Sequence, residues 1–173
     1  MKRLVLPFAA LALLAARPAF AQPSPTPALD VIPEKMPFDI PYGTPITLER
    51  AQSVIAAVVA EAKKHDYKMN ATVVDSNGDL IAFARMDGAQ LASIEISEHK
   101  ARAAARFRRI TKLFENGMQG GMVYFSTLDG VIASRGGIPL VENGKIIGAI
   151  GVSGGAGSQD EICANAGAGV INK

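Results

Sequence analysis

His99 stands among charged residues at spacings that place them together on one side of a helix. Glu95 precedes it by four residues, Arg102 follows it by three, and Arg106 lies one further turn along. An imidazole in such a setting can ligate a metal ion or haem iron, while guanidinium groups pair with carboxylates such as haem propionates. The same pattern also fits a solvated helix face that binds nothing, and the residues alone leave both interpretations open.

The remaining reactive side chains give no support to catalysis. His65 lies at the predicted end of a helix, where an imidazole can satisfy terminal carbonyl groups. Cys163 is the only cysteine and lies in an apolar run, which favours a buried thiol over a reactive one or an intermolecular bridge. A haem-attaching Cys-x-x-Cys-His run is absent. Two histidines and one cysteine form neither a recognisable nucleophilic set nor a usual zinc site, so we predict no catalytic residue.

A strand of small apolar residues is the element most suited to position a ligand. Asn143-Gly144 separates two apolar runs and predicts a hairpin with a type I′ turn, because both central residues of that turn need positive φ. The second strand, residues 146–152, carries Gly148, Ala149 and Gly151. Small residues let another backbone, a helix or a flat ligand approach closely. We expect a flat ligand or another subunit to lie against this strand.

The glycine-rich loop over residues 151–157 comes directly before a predicted final helix. It has the general look of a phosphate-binding loop, but its spacing is not G-x-G-x-x-G. Asp160 and Glu161 would also repel a phosphate at that helix start, so we interpret the loop as a structural turn. Ser158, with Glu161 three residues later, predicts a capping box for the helix.

The rest of the chain predicts helices around a second hairpin. Apolar residues spaced by three and four predict a helix over residues 47–65. Alternating runs on either side of Asn77-Gly78 predict a hairpin over residues 69–86. Further helices are predicted over residues 93–108 and near 111–118. This order of elements predicts an α+β domain in which helices cover an antiparallel sheet.

The first 45 residues differ in composition from the remainder. Residues 1–21 combine a basic start, an apolar run and a small-x-small site ending at Ala21, which predicts a cleaved signal peptide and a periplasmic or secreted protein. The proline-rich residues 22–45 predict an extended arm, which either docks on a neighbouring subunit or stays disordered. No later run approaches the roughly 20 continuous apolar residues of a transmembrane helix, so we predict no membrane insertion.

The charge of the predicted mature chain is close to neutral. Removal of residues 1–21 leaves 15 basic and 16 acidic residues. A chain with this balance offers no electrostatic reason to expect nucleic acid or an anionic membrane as a partner. Its length allows one domain with a sizeable core.

Several motifs, in the same order, resemble the GlcG/HbpS-like family, also called the haem-degrading domain family. The resemblance covers roughly residues 46–172. It implies a domain over residues 46–173 with a PAS-like or profilin-like two-layer fold and an antiparallel sheet of about five strands. The segments that carry it are Val73-Val74-Asp75, Asn77-Gly78, Arg85-Met86-Asp87-Gly88-Ala89, Lys100-Ala101-Arg102, GGIPL at 136–140, IIGAIGVSGG at 146–155 and QDE at 159–161.

The resemblance implies an exported, homo-oligomeric haem-binding protein that acts in haem capture, storage or sensing. Two alternatives are a haem-degrading enzyme or accessory of a periplasmic pathway oxidising small acids or alcohols, and a structural or regulatory oligomer without cofactor. Where the family commonly has Lys-Ala-x-Thr-Ala, this chain has Ala103 in place of the hydroxyl residue. The predicted cofactor-binding residues are Arg85, Met86, His99, Lys100, Arg102 and Arg106, with His99 as the metal ligand.

Overall fold

Four α-helices, one short 3₁₀ helix and four strands are formed within residues 32–172, the part of the chain that the structure, a computed structural model, describes. The predicted signal peptide and the first residues of the predicted arm lie outside the described residues. Residues 36–172 form one compact unit. In chain order the elements are α1 Leu48–Lys64, β1 Asn70–Asp75, β2 Leu80–Arg85, α2 Ser93–Arg106, α3 Lys112–Gln119, the 3₁₀ helix Val123–Thr127, β3 Gly137–Glu142, β4 Lys145–Ser153 and α4 Gly157–Ala168.

The sheet is antiparallel and has the strand order β2-β1-β4-β3. Four strands form within the described residues instead of about five. A single parallel bridge between Tyr42 and Ile146 adds a short stretch of the arm beside β4. Backbone hydrogen bonds from Gly43 to Ile146 and from Ile46 to Ile147 hold this stretch in place. The α+β class and the antiparallel sheet are confirmed.

Both predicted hairpins are present, each with the turn its sequence requires. Asn143 and Gly144 have φ values of 48° and 72°, which join β3 to β4 through the predicted positive-φ turn. Between β1 and β2, Gly78 has a φ of 91° and the Asp75 carboxylate accepts hydrogen bonds from the backbone of Asn77 and Asp79. A side chain that caps its own turn in this way fixes the register of the hairpin.

Helices cover both faces of the sheet, so the domain has three layers instead of the two expected. The helix α2 packs on one face, against β1, β3 and β4, while α1 and α4 pack together on the other face. Strand alternation explains the division. Val73 and Ile150 point into the main core under α1 and α4, whereas Val74 and Ala149 join Ala101 of α2 on the opposite side.

The strand of small residues is sealed by this chain's own helix, and the expectation of a flat ligand or another subunit against it is wrong. A Cβ atom on Gly151 would collide with the Ser97 carbonyl and would lie 2.5 Å from the Ala101 nitrogen. Ala149 and Ala101 are both fully buried between sheet and helix. Close helix packing is therefore what the glycine at this position permits.

The ends of the helices follow local sequence in one case and depart from it in another. Thr47, a residue type that commonly caps helices, caps α1, and its side chain accepts from the Arg50 nitrogen at 3.5 Å. The capping box predicted for α4 is wrong, because the cap residue is Ala156 and Ser158 lies inside the first turn. The Gln159 side chain accepts from the Ala156 nitrogen at 2.9 Å and supplies half of the reciprocal pattern.

The end of the predicted arm docks on the same chain. The Tyr42 hydroxyl donates to the Arg106 carbonyl at 3.0 Å, and the Arg108 guanidinium lies 3.7 Å from the Asp39 carboxylate. Arg108 also donates to the Ile40 carbonyl at 3.3 Å. These contacts hold residues 39–42 close to the C-terminal end of α2.

Candidate functional site

The outer side of α2 forms one wall of an open cleft of about 420 Å³. Helical spacing brings its lining side chains together, as the sequence predicts. His99 is half-buried there, and neither of its ring nitrogens has a hydrogen-bond partner among residues 32–172. The residues that line this cleft, called here the His99 cleft, are Glu95, Glu98, His99, Arg102, Arg106 and Gly130.

The two arginines of the His99 cleft are anchored at their inner ends. Arg102 donates from Nε to the Gly78 carbonyl at 3.1 Å, and Arg106 donates from Nε to the Asn77 carbonyl at 2.7 Å. Arg102 also meets Glu98, four residues earlier on the helix, at 3.5 Å. Because the bond from Arg106 uses Nε, both of its terminal amino groups are without a hydrogen-bond acceptor among residues 32–172, whereas a terminal amino group of Arg102 faces Glu98.

The second histidine is engaged within the fold. His65 lies 3.1 Å from the Glu61 carboxylate and stacks on Tyr67 with ring centroids 5.1 Å apart. Its backbone N–H, which donates to the Ala62 carbonyl, helps to end α1. The imidazole is satisfied by a carboxylate and a ring instead of by terminal carbonyl groups. The contrast with His99 is direct, since only the latter keeps both ring nitrogens free among the described residues.

Arg85 and Met86 lie at a different cleft, on the other face of the sheet. The space between β2 and α1 has a volume of about 440 Å³. The structure thus separates residues that the sequence grouped into one cofactor site. Met86 packs against the main core on the α1 side of the sheet, and Arg85 lines the same space from the edge strand β2, whereas α2 lies on the opposite face. The residues lining this second cleft, called the Met86 cleft, are Val59, Lys63, Lys68, Ala84, Arg85, Met86 and Asp87.

Lys100 lines neither cleft and is 1% exposed. Its ammonium donates to the Asp160 carboxylate at 2.6 Å and to the Val152 carbonyl at 3.2 Å. A direct contact between Lys100 and a bound cofactor is therefore not supported by its position in the fold. The helical spacing in the sequence contains a signal for this burial. Lys100 lies three residues after Ser97 and four before Ala104, on the side of α2 that carries small, buried residues.

Asp160 completes this buried ion pair from the first turn of α4. Burial raises the pKa of its carboxyl, while Lys100 and the Gly155 N–H act in the opposite direction. The Gly155 nitrogen donates to Asp160 at 3.0 Å, so the predicted glycine loop serves as a structural turn. The pair joins α2, the end of β4 and α4, and sequence reasoning missed it because the two residues are 60 positions apart.

Cys163 is fully buried, as predicted, and desolvation raises the pKa of its thiol to about 11. A thiol that is protonated at neutral pH and shielded from solvent is neither a nucleophile nor an accessible metal ligand. Within residues 32–172, no three His, Cys, Asp or Glu side chains gather closely enough to hold a metal ion. In the same range, no helix is both long and apolar enough to cross a bilayer.

Comparisons with known proteins place the chain and its fold in a known family. Residues 46–169 match the family model described as haem degrading protein HbpS-like. GlcG of Escherichia coli (strain K12) is 40% identical over 108 residues, which are 62% of this chain and 81% of GlcG. The crystal structure of HbpS is 31% identical with a TM-score of 0.68, covering 80% of this chain and 99% of HbpS.

A further similar structure is a complex with haem. The crystal structure of a PduOC–haem complex matches with a TM-score of 0.68 and 26% identity, covering 75% of this chain and 96% of PduOC. This chain belongs to the HbpS-like family, because the family model matches well over half of its sequence.

Proposed function

We propose that this member of the HbpS-like family is an exported haem-binding protein that serves haem capture, storage or sensing. The observation that carries the proposal is the imidazole of His99, which lies in a cleft beside two guanidinium groups and has no partner among the described residues. Haem binding by PduOC, a relative with the same fold, supports the ligand class.

The residues of the His99 cleft fit the polar parts of haem. Neutral imidazole is a common axial ligand of haem iron, and the arginines Arg102 and Arg106 can pair with the two propionates. Glu95 and Glu98 limit the fit, since a carboxylate repels a propionate unless a cation lies between them. Glu98 already meets Arg102 at 3.5 Å, which offsets its charge in part. When bound, the haem would supply iron chemistry, while this chain would orient it.

The open shape of the cleft bears on the assembly state. The cleft is open to solvent, so a haem lying on α2 would keep much of its apolar macrocycle in water. A second copy of the chain facing the cleft would cover that surface, which supports the homo-oligomer expected from the sequence. Sedimentation velocity with and without haemin tests this step, and a monomer in both conditions would contradict it.

Titration of the purified, haem-free protein with haemin tests the function. We expect a Soret shift that saturates near one haem per chain. His99→Ala should weaken binding at least about tenfold, because a lost axial bond costs well over 1.4 kcal/mol. His65→Ala is the matched control and should leave the affinity within about twofold. No shift at micromolar haemin would remove the function, and equal, unchanged affinities in both variants would remove the imidazole from the site.

The Met86 cleft is the alternative location for haem within the same titration. A thioether is also an axial ligand, and the lysines and arginine around Met86 are suitable partners for propionates. Met86→Leu keeps the volume and the apolar character of the side chain. We expect unchanged affinity in this variant, and a loss confined to Met86→Leu would move the site to the other face of the sheet.

Haem degradation is the second candidate function, favoured by the description of the matching family. Incubation of the haem-loaded protein with ascorbate and oxygen tests it. Loss of the Soret band with verdohaem-like or biliverdin-like products would establish an enzyme. A stable spectrum under the same conditions would support a binding role.

Export is tested separately on the native protein. Intact mass and N-terminal sequencing after purification from the host's periplasm or medium should give a chain that starts at Gln22. A cytoplasmic chain that retains residues 1–21 would contradict the proposed export.

A further inference from the structure

A third cleft, about 600 Å³ in volume, lies between residues 37–38 of the arm and the region of α3 and the 3₁₀ helix. It belongs to neither the His99 cleft nor the Met86 cleft. Ligand pockets for small organic molecules commonly have volumes of this size and walls rich in aromatic side chains. We call this space the aromatic cleft. The lining residues that matter for its chemistry are Phe38, Arg109, Phe114, Met122, Tyr124 and Phe125.

The aromatic rings of this cleft hold one another in fixed positions. Phe114 is fully buried and meets Phe125 edge to face, with centroids 5.3 Å apart and an interplanar angle of 90°. Tyr124 leans on Phe125 with centroids 4.7 Å apart. The Phe125 ring lies directly over Gly117, where a Cβ atom would collide with it. The wall is therefore built by packing and does not depend on a ligand to form.

The guanidinium of Arg109 is the one charged group in the lining of this cleft. It stacks on the Phe38 ring at 3.5 Å and donates from Nε to the Phe107 carbonyl at 3.0 Å. Within residues 32–172, its two terminal amino groups have no hydrogen-bond acceptor and no carboxylate lies within 4.0 Å. Its neighbour Arg108, by contrast, meets Asp39. Arg109 thus presents an uncompensated positive charge inside an apolar cleft, and burial lowers the pKa of its guanidinium.

The arm holds its side of the cleft in an unfavourable backbone conformation. Phe38 has a φ of 59°, in the left-handed region that large side chains avoid. Such conformations persist only where surrounding contacts enforce them, and they concentrate at functional sites. In this conformation the Phe38 ring stacks on the guanidinium of Arg109, at 3.5 Å.

We propose that the aromatic cleft binds a small aromatic carboxylate. The ring of the ligand would lie among Phe38, Phe125 and Met122. Its carboxylate would accept two parallel hydrogen bonds from the terminal amino groups of Arg109. The Tyr124 hydroxyl, which has no hydrogen-bond partner among the described residues, is a further donor on the same wall. This proposal is independent of the haem proposal and needs no metal.

Binding of 2-naphthoate to the haem-free full chain, followed by calorimetry and NMR, tests the proposal, with 2-naphthamide as the neutral probe of the same shape. We expect 2-naphthoate to bind at least about tenfold more tightly than 2-naphthamide, since hydrogen bonds to a charged group are the stronger kind. Arg109→Met should abolish this preference. Arg109→Lys, which keeps the charge but not the paired donors, should retain part of it.

Two controls separate recognition by the cleft from simple charge or folding effects. Arg50→Met removes a positive charge that pairs with Glu142 and does not line the cleft, so it should leave the affinity within about twofold. Tyr124→Phe keeps the ring, and we expect a loss of about threefold in 2-naphthoate affinity with no change for 2-naphthamide. Each variant must show the wild-type circular dichroism spectrum and melting temperature within about 3 °C.

Several outcomes would overturn the proposal. They are equal affinities for the two probes in the wild type, no saturation by millimolar 2-naphthoate, and an unchanged preference in folded Arg109→Met. A second copy of the chain is the competing occupant of this apolar surface. If 2-naphthoate or Arg109→Met dissociates an oligomer in sedimentation velocity, the cleft is a subunit interface and the proposal fails.

Discussion

The two sides of α2 differ in their surroundings. The inner side packs on the sheet and supports the fold, whereas the outer side lines the His99 cleft, where we propose that a ligand binds. On the inner side, Ser97, Lys100 and Ala101 are buried, and the Ser97 hydroxyl and the Lys100 ammonium are both hydrogen-bonded within the chain. On the outer side, His99 and Arg106 reach a cleft with donor groups to spare. Ser97 and Lys100 are paired on one side of the helix, whereas the His99 imidazole on the other side has no partner among residues 32–172. This difference indicates where a ligand can bind without cost to the fold.

Polar contacts between the inner side of α2 and its neighbours stabilise the packing, and small residues let the helix come close enough to form them. Thr72 and Ser97 share a buried hydrogen bond of 2.7 Å between sheet and helix. The Lys100–Asp160 pair then ties this layer to α4. We infer that the inner side specifies the packing of the three layers, while the outer side tolerates change. Three substitutions test this contrast, in order of decreasing effect.

Lys100→Met should cause the largest loss, about 3–5 kcal/mol in the free energy of unfolding, because it leaves the Asp160 carboxylate buried without its cation. The loss should grow with pH. The pKa of Asp160 already lies above its ordinary value of 3.8, and removal of Lys100 raises it further. A carboxyl whose pKa is higher in the folded state contributes stability below its unfolded pKa and loses it as pH rises through the folded pKa. Urea denaturation at pH 5 and pH 8 measures both effects.

The matched control for that change is Lys112→Met, which removes a partly exposed partner of Glu161 at 3.1 Å. It should cost no more than about 1 kcal/mol at either pH. A double variant, Lys100→Met with Asp160→Asn, should recover part of the loss at pH 8. Equal losses for Lys100→Met and Lys112→Met would show that the buried pair does not specify the packing.

Gly151→Val should destabilise the fold by about 3 kcal/mol, since the added side chain meets backbone atoms of Ser97 and Ala101. The melting temperature should fall by roughly 10 °C for a chain of this size. Gly169→Ala is the control, because that exposed glycine has a φ of −62° and a Cβ atom there would come no closer than 3.3 Å to its nearest neighbour, the Asn165 carbonyl oxygen. Unchanged melting of Gly151→Val would contradict the sealed interface.

Glu98→Gln on the outer side should have the smallest effect, within about 0.5 kcal/mol, because its contact with Arg102 is long and partly exposed. Thermal denaturation at low and high salt measures it. A loss above about 1.5 kcal/mol would mean that the outer side also supports the fold, and the contrast between the two sides would disappear.

Local sequence was sufficient for the elements whose signals are local. The Asn143-Gly144 and Asn77-Gly78 turns contain residues with positive φ, which these residue types tolerate. The apolar residues of α1 recur at the spacing of an α-helix. These elements could therefore be predicted from the sequence alone. The start of α4 did not follow, because Gln159 and Ala156 took the capping roles expected of Glu161 and Ser158. The predicted start at Ser158 and the observed start at Ala156 lie two residues apart, and alanine carries no side-chain acceptor that would mark a cap in the sequence.

Contacts between distant segments explain what the sequence could not predict. The small residues Ala149 and Gly151 predicted that another part of a molecule packs closely against β4. Only the fold shows that this part is α2. The aromatic cleft depends on Phe38 of the arm meeting Arg109, more than 70 positions away, and on a region rich in glycine whose conformation is set by packing. The prediction that Met86 and His99 belong to one cofactor site was wrong for the same reason. Only the fold shows that the two side chains lie on opposite faces of the sheet.

The measurement that tests the central claim most directly is NMR of the two histidine rings, with imidazole ¹⁵N labels and gallium protoporphyrin IX as a diamagnetic stand-in for haem. If the unpartnered side of α2 is the ligand site, the ring signals of His99 should move on addition of the porphyrin while those of His65 stay in place. Porphyrin binding, seen by absorption, that leaves the His99 signals unmoved would contradict the account.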